Sequence, residues 1–367
     1  MKINLEKILR QYDYKLPQEL IAQEPASPRD GARLMVYHHA QVKKLGVVVC
    51  DRKSGIVKYD VFANLDKYLP PDAVLVFNET KVVPARFPLI KETGEQSLPA
   101  GRQAQALFLA ARRGIVEVLC EKKLYPESVV VVPGTKLRFR IKGQKGGVYF
   151  LKPLFPISQM DAVLQKYGRT PLPPYIKNSP LSEKEKRKKY QTVFAAEGVS
   201  VAAPTASLHF TKRLLRKLRS RGIAAKFIRL DVGLGTFASL TPENIASGKL
   251  HEEHYGINGS VARFLNQAKK DGRPIIAVGT TALRTLESAT DAKGKIKKFS
   301  GETNLFIREG YKFKFVDGLI TNFHVPKSSL LMLVSALVGR KKVLELYAKA
   351  IRKKFRLFSF GDGMLIL

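Results

Sequence analysis

Between residues 72 and 153 the sequence breaks into short β-rich runs separated by turn dipeptides, and beyond that stretch it does not. This change of texture restricts the fold more than any other feature. Runs at 73–77, 105–110, 115–120, 129–132, 137–141 and 148–151 are rich in Val, Leu, Ile, Phe and Ala, and Arg113-Gly114, Pro133-Gly134 and Gly146-Gly147 fall between them. Closely spaced strands with such punctuation predict a small antiparallel barrel, in which closure removes exposed sheet edges. The polar stretch 93–102 reads as a hairpin loop within it.

After residue 159 helical and extended patterns alternate. In 211–221, Leu214, Leu215 and Leu218 form one apolar stripe and Gly222 supplies a stop. A strand at 226–232 follows, then a helix at 260–270 whose inward residues are Val261, Phe264, Leu265 and Ala268. Strand 275–278 runs into helix 282–288, strand 319–323 into helix 329–338, and helix 342–355 into a last strand near 357–360. Alternation of this kind predicts an α/β fold with helices covering a sheet. The expected architecture is a layered αβα sandwich domain, discontinuous over 1–70 and 155–367, with a small antiparallel β-barrel inserted at 71–154. There are no internal repeats.

Charge narrows the partners. The 64 Lys and Arg residues outweigh 31 Asp and Glu, a formal +33. Such an excess repels itself unless it meets a polyanion, so RNA, DNA or an anionic membrane surface is implied; a lysine-rich solvated surface would show the same numbers. The longest strongly apolar run, 330–338, is too short to span a bilayer, and residues 1–14 carry no signal-peptide core, so no membrane partner is expected. Cys50 and Cys120 are the only cysteines, which excludes a disulfide framework and suits a reducing, cytoplasmic setting. The six histidines include no H-E-x-x-H pattern, and the His251-Glu252-Glu253-His254 group lacks a further ligand cluster, so no metal is expected.

In an open α/β sheet, ligands bind where strands end and helices begin. One such junction is Asp231-Val232-Gly233-Leu234-Gly235-Thr236-Phe237, where two glycines admit close backbone approach and Thr236 can donate; a tight turn uses the same residues. A second is Val278-Gly279-Thr280-Thr281-Ala282-Leu283-Arg284. Its helix start suits an anion, although either Thr can equally be an ordinary cap. A third, Thr321-Asn322-Phe323-His324-Val325-Pro326-Lys327-Ser328, crowds an imidazole and an ammonium into one turn, more than a structural turn needs. Tyr190-Gln191-Thr192 and the Thr205 to His209 region, set among small residues, form a fourth. The fifth, Asn78 to Arg86, includes Thr80 and lies where the first barrel strand is expected to end; an RNA or cleft contact and a polar hairpin both fit it. The basic face bearing Lys212 and Arg216, and the run 184–189, suit phosphate contact or simple solvation.

Taken in order, these segments form a series. Asp13-Tyr14-x-Leu16-Pro17-x-Glu19-Leu20-Ile21-Ala22-Gln23, N-E-T-K-V-x-P-A-R from Asn78, Pro171-Leu172-Pro173-Pro174-Tyr175-Ile176 and Tyr190-Gln191-Thr192-Val193 come first. A-A-P-T-A-x-L-H-F-T, V-G-x-G-T-F, A-V-G-T-T-x-L-R-T-L-E, T-N-F-H-x-P-K-S-S and Phe358-Ser359-Phe360-Gly361-Asp362-Gly363-Met364 follow. The series resembles the S-adenosylmethionine:tRNA ribosyltransferase-isomerase family from near residue 12 to the C-terminus. The resemblance implies an α/β domain with an inserted barrel. It also implies a cytoplasmic enzyme that moves the ribosyl part of S-adenosylmethionine onto 7-aminomethyl-7-deazaguanine in a tRNA anticodon. Adenine and methionine leave, and epoxyqueuosine forms. S-adenosylmethionine is then a cosubstrate, with no tightly bound cofactor, no metal and a monomeric chain expected. The family pattern has His where Asp231 stands, Gly where Ser207 stands and commonly Asp where Asn304 stands.

On that resemblance the chemistry assigns roles. His209 and His324 are the acid/base candidates, and Lys327 with the helix start at Ser328 is the expected grip on the methionine carboxylate. Thr280, Thr281 and Arg284 would line the nucleoside or phosphate subsite. Asn322, Thr205, Asp231, Gly233, Gly235, Thr236, Tyr190 and Gln191 would contact substrates, and Asn78, Thr80, Arg86, Lys212 and Arg216 the tRNA or the cleft. Two other classes compete: a non-catalytic tRNA-binding module, and an S-adenosylmethionine-dependent RNA methyltransferase. The latter lacks a glycine-rich first βα turn followed by an acidic ribose binder.

Overall fold

The computed structural model describes residues 4–44, 47–91, 103–233 and 240–367, the side chains of 40–54 excepted. Gly235, Thr236 and the loop expected at 93–102 lie outside the described residues.

The chain starts with helix α1 (Leu5–Arg10) and two long strands, β1 (Arg33–Lys44) and β2 (Val47–Val61), followed by β3 (Val74–Asn78). Six strands then follow: β4 (Arg86–Lys91), β5 (Ala104–Arg112), β6 (Ile115–Cys120), β7 (Val129–Val131), β8 (Arg138–Lys145) and β9 (Val148–Pro153). Helices α2 (Met160–Tyr167), α3 (Glu183–Lys189) and α4 (Lys212–Ser220) lead to β10 (Ala224–Leu230), α5 (Pro242–Ser247) and β11 (Lys249–Gly256). The remainder is α6 (Gly259–Lys270), β12 (Ile275–Val278), α7 (Thr280–Ala289), β13 (Ser300–Leu305), β14 (Gly318–Asn322), α8 (Ser329–Val338), α9 (Arg340–Arg352) and β15 (Gly363–Ile366).

Nine strands form one sheet in the order β13-β11-β10-β3-β12-β14-β15-β1-β2. Its centre, β10-β3-β12-β14, is parallel, and β15 returns antiparallel to β14. The central strands read V-L-V-F-N, I-I-A-V and G-L-I-T-N and are buried throughout, the continuous apolar pattern of a sheet covered on both faces. Val74 and Val76 pack with Leu265, Leu283, Leu333 and Leu346 from α6 to α9, whereas Leu75 and Phe77 pack with Phe210, Leu214 and Leu218 on the opposite face. The result is the expected αβα layering.

The strands β4-β5-β6-β9-β8-β7 close into an antiparallel barrel around Phe87, Phe108, Val118, Phe139 and Leu151, with Met160, Val163 and Leu164 of α2 packed against it. Two strands depart from expectation. The run at 73–77 does not open the barrel: as β3 it hydrogen-bonds β10 and β12 at the middle of the large sheet. Its uninterrupted apolarity suits that doubly covered position better than a barrel wall with alternate exposure. The last strand is β15, not 357–360. There Phe358 takes φ +70, and a Cβ on Gly361 would meet Arg356 O at 2.5 Å, so the chain turns instead of extending. Strands β4, β11 and β13 had no clear sequence signal.

Candidate active site

The parallel strands β10, β3, β12 and β14 all end at one edge of the sheet, and a cavity of about 360 Å³ opens there. That volume is within the range of small-molecule sites, about 300–1,000 Å³. Its wall draws on Tyr175 and Tyr190, Thr205, the β12–α7 junction, Thr321 to Val325, and Phe358-Ser359 just before β15.

At β14, Asn322 is 2% exposed and donates from Nδ2 to Phe358 O (3.0 Å) and to His209 Nε2 (3.2 Å). The carbonyl partner fixes which end of the amide carries hydrogen, so His209 Nε2 is the acceptor and its proton sits on Nδ1. Asn322 Oδ1 is left buried without a partner. His209 stacks on Phe62 at 4.3 Å between centroids. Burial, reinforced by the Arg356 and Arg29 charges, lowers its pKa to about 3. Only Thr205 and Ala206 of its segment face the cavity, so His209 stands behind Asn322 and orients it.

His324 does line the cavity. Its Nε2 is 2.9 Å from Thr321 Oγ1, its N–H donates to the Tyr347 hydroxyl (2.9 Å), and its C=O accepts from the Tyr14 hydroxyl (2.6 Å). Burial lowers its pKa to about 4, which leaves a neutral imidazole at physiological pH.

The β12–α7 junction forms a third wall. Gly279 takes φ +91, a conformation that favours glycine, and donates to Ile320 O (2.8 Å). No side chain caps α7, and Thr280 and Thr281 enter the cavity wall. One turn on, Arg284 is 8% exposed and ion-paired with Glu253, itself 1% exposed. Its Nε donates to Leu305 O (3.1 Å). Arg284 borders the cavity as half of a neutralised pair.

Other expected residues do structural work or lie elsewhere. Lys327 has φ +60, is half exposed, and pairs with Asp13 (2.9 Å) outside the cavity wall. Ser328 caps α8: it accepts from Leu331 N (3.2 Å) and donates to Val325 O (2.7 Å). Lys327 and Ser328 thus lie outside the cavity wall, each with a partner of its own: a half-exposed ion pair for Lys327 and the α8 cap for Ser328. Gln191 exchanges two hydrogen bonds with the Val82 backbone. Asn78 ties Leu230 O (2.9 Å) and Leu230 N (3.0 Å) to Thr281 Oγ1 (3.2 Å). Thr80 donates to Asp231 (2.8 Å), which also pairs with Arg229 (2.6 Å).

Asp231 and Gly233 face a second depression of about 520 Å³, between sheet and barrel, with Arg112, Arg113 and His254. Arg86 pairs with Glu121 on the barrel (3.0 Å), and Lys212 and Arg216 are exposed on α4. Sequence reasoning gave no site role to Tyr175, whose hydroxyl is 2.7 Å from Ser359 Oγ, nor to Phe358, Ser359 or Glu253. Their only signal was membership in a quoted block or, for Glu253, in an acid/base group that was set aside. Among the described residues no group of three His, Cys, Asp or Glu side chains is placed to hold a metal, and no helix is long and apolar enough to cross a membrane.

A family model described as queuosine biosynthesis protein matches residues 9–366. The S-adenosylmethionine:tRNA ribosyltransferase-isomerase of Carboxydothermus hydrogenoformans is 43% identical, covering 98% of this chain and 99% of its own. The protein of the same name from Halothermothrix orenii is 42% identical with the same coverage. A crystal structure of S-adenosylmethionine tRNA ribosyltransferase from Thermotoga maritima is 31% identical, with a TM-score of 0.52 over 97% of this chain and 100% of that one. With a family model spanning almost every residue, and full-length relatives above 40% identity, the chain belongs to the queuosine biosynthesis protein family.

Proposed function

We propose that this chain is an S-adenosylmethionine:tRNA ribosyltransferase-isomerase and that the cavity at the ends of β10, β12 and β14 receives S-adenosylmethionine. The reading rests on family membership together with one feature of the cavity: Tyr175, Tyr190, Phe323 and Phe358 line a space whose one cation among the described residues, Arg284, is already neutralised by Glu253. Aromatic faces without competing positive charge suit a sulfonium.

The reaction transfers the ribosyl group of S-adenosylmethionine to the aminomethyl group of 7-aminomethyl-7-deazaguanine in tRNA. It isomerises the ribose to an epoxy-cyclopentanediol and releases adenine and methionine. A base removes a proton beside the sulfonium, adenine is protonated as it leaves, and the attacking amine is neutral. His324 is the group for proton transfer, since it lines the cavity as a neutral imidazole with Thr321 on Nε2. His209 positions Asn322 from behind. The excess of 33 positive charges supplies the attraction for tRNA, and Lys212 and Arg216 are exposed to make phosphate contacts.

The test is product analysis with tRNA carrying the aminomethyl-deazaguanine base. Free adenine and methionine are expected in equal amounts with modified tRNA. S-adenosylhomocysteine as the product would make the protein a methyltransferase, and tRNA binding without cosubstrate consumption would make it a binding module.

A further inference from the structure

The positive charge is not spread evenly, and folding gathers its densest runs at one place. Residues 186–189 and 352–356 hold four Lys and Arg each, residues 212–221 hold six, and none of the three runs holds an Asp or Glu. They lie at the C-terminal end of α3, at the end of α9 and along α4. Segment 24–33 ties all three together. Arg29 donates to Lys188 O (2.9 Å) and Gln191 O (2.7 Å) at the end of α3. Asp30 accepts from Thr211 (2.8 Å) and pairs with Arg213 (2.9 Å) at the start of α4, and Arg33 donates to Lys353 O (2.7 Å) just past α9.

This face differs from a run of solvated lysines in what lies beneath it. Asp30, Asp66 and Asp362 have side chains only 1% exposed, and each holds a cation that reaches the surface, Arg213, Lys217 and Arg356 respectively. The carboxylates therefore face inward and the cations outward, already fixed in place. Side chains held in this way lose less freedom when a ligand arrives. Among the described residues of these segments Glu24 is the one exposed carboxylate, and Lys189 pairs with it at 3.7 Å. Cations crowded together repel one another unless a polyanion lies over them.

The face also adjoins the cavity. Tyr190 directly follows Lys189, Phe358 and Ser359 come soon after Arg356, and all three line the cavity wall. None of the large apolar side chains exposed among the described residues belongs to these segments, so the face offers charge without the apolar anchors of a membrane-binding surface.

We propose that this face, formed around segment 24–33 by α4 and the ends of α3 and α9, binds the phosphate backbone of tRNA beside the target base and so delivers that base to the cavity. The proposal rests on the reading of the cavity as the site of ribosyl transfer. The barrel also carries exposed cations, among them Arg140, Lys145 and Lys152, but contributes less to tRNA affinity than this face.

Two triple variants of the full chain, equal in lost charge, test the placement. One combines Lys188→Gln, Lys212→Gln and Lys353→Gln on this face; the other combines Arg140→Gln, Lys145→Gln and Lys152→Gln on the barrel. All six side chains are exposed, so both variants should fold, which unchanged affinity for S-adenosylmethionine checks. Each is titrated with tRNA carrying the aminomethyl-deazaguanine base over a range of salt. The first should bind at least about tenfold more weakly than wild type, on a log–log salt slope shallower by about 2, since each lost phosphate contact removes about 0.7–0.9. The barrel variant should stay within about threefold of wild type. Equal losses in the two would reveal a diffuse attraction and overturn the proposal, as would a larger loss from the barrel. Wild-type binding to anionic phospholipid vesicles that only the first variant loses, with tRNA affinity unchanged, would assign the face to a membrane and overturn it as well. A wild-type protein that binds the tRNA yet releases no adenine from S-adenosylmethionine would overturn the proposed function, an outcome distinct from equal losses in the two variants.

Discussion

Replacing His209 by Gln tests the account of the buried imidazole behind the cavity at the ends of β12 and β14. His209 is 4% exposed, and its folded-state pKa is held near 3, chiefly by burial. In the unfolded chain an imidazole titrates near 6.5. Below that pH the unfolded state takes up a proton that the folded state refuses. Stability therefore falls as pH drops through 6.5 and keeps falling until the folded value is reached. By linkage the loss between pH 7 and pH 5 is about 2 kcal/mol for this one group. It hardly depends on whether the folded value is 3 or 4. Gln keeps an acceptor for the Asn322 amide but cannot titrate. Its lost stacking on Phe62 lowers stability at every pH, so the quantity to read is the difference between pH values. Urea unfolding followed by far-ultraviolet circular dichroism suits a chain with no Trp. Wild type should lose about 2 kcal/mol more than His209→Gln on going from pH 7 to pH 5. An equal loss in both proteins would refute the neutral, desolvated state assigned to His209.

Three further outcomes are expected. His324→Gln should lower single-turnover adenine release by about 100-fold or more while changing cosubstrate affinity little, because a proton-transfer group acts in the transition state; parallel losses in binding and turnover would make His324 a binding residue. Glu253→Gln should cost about 3–5 kcal/mol in urea unfolding by leaving the buried Arg284 charge uncompensated, and a change below about 1 kcal/mol would mean the pair is solvated. Binding of tRNA should weaken with salt on a log–log slope of about −3 to −7, corresponding to roughly four to eight phosphate contacts; a slope flatter than about −1 would show that the charge excess does not serve RNA.

Much of the fold was legible because its signals are local. Helix periodicity located α4, α6, α7 and α9 to within a few residues and α8 exactly where its apolar run and Ser cap lie, and the turn dipeptides marked most of the barrel hairpins. The paired-Thr turn and the Asn-Phe-His turn stand out in the sequence as candidate site elements, since a dense polar cluster between an apolar strand and an apolar helix is visible in one dimension, and both line the cavity. Strands β11 and β13 were less visible. The first mixes charge with its few apolar residues and the second is mostly polar, so their extended form depends on pairing with each other and with β10.

By itself the sequence determined the layered α/β class, the presence of a barrel, the family resemblance and the large positive charge, because each depends on composition, periodicity or order along the chain. Tertiary structure alone decided which polar residues are spent. Gln191 on Val82, Asn78 on Leu230, Thr80 on Asp231, Arg284 on Glu253 and Lys327 on Asp13 are pairings between residues distant in sequence. It likewise set His324 in the cavity wall and His209 behind it, a difference no spacing encodes. A side chain's chemistry is fixed by its type, but its availability depends on whether folding brings it a partner or leaves it, like Asn322 Oδ1, buried with none.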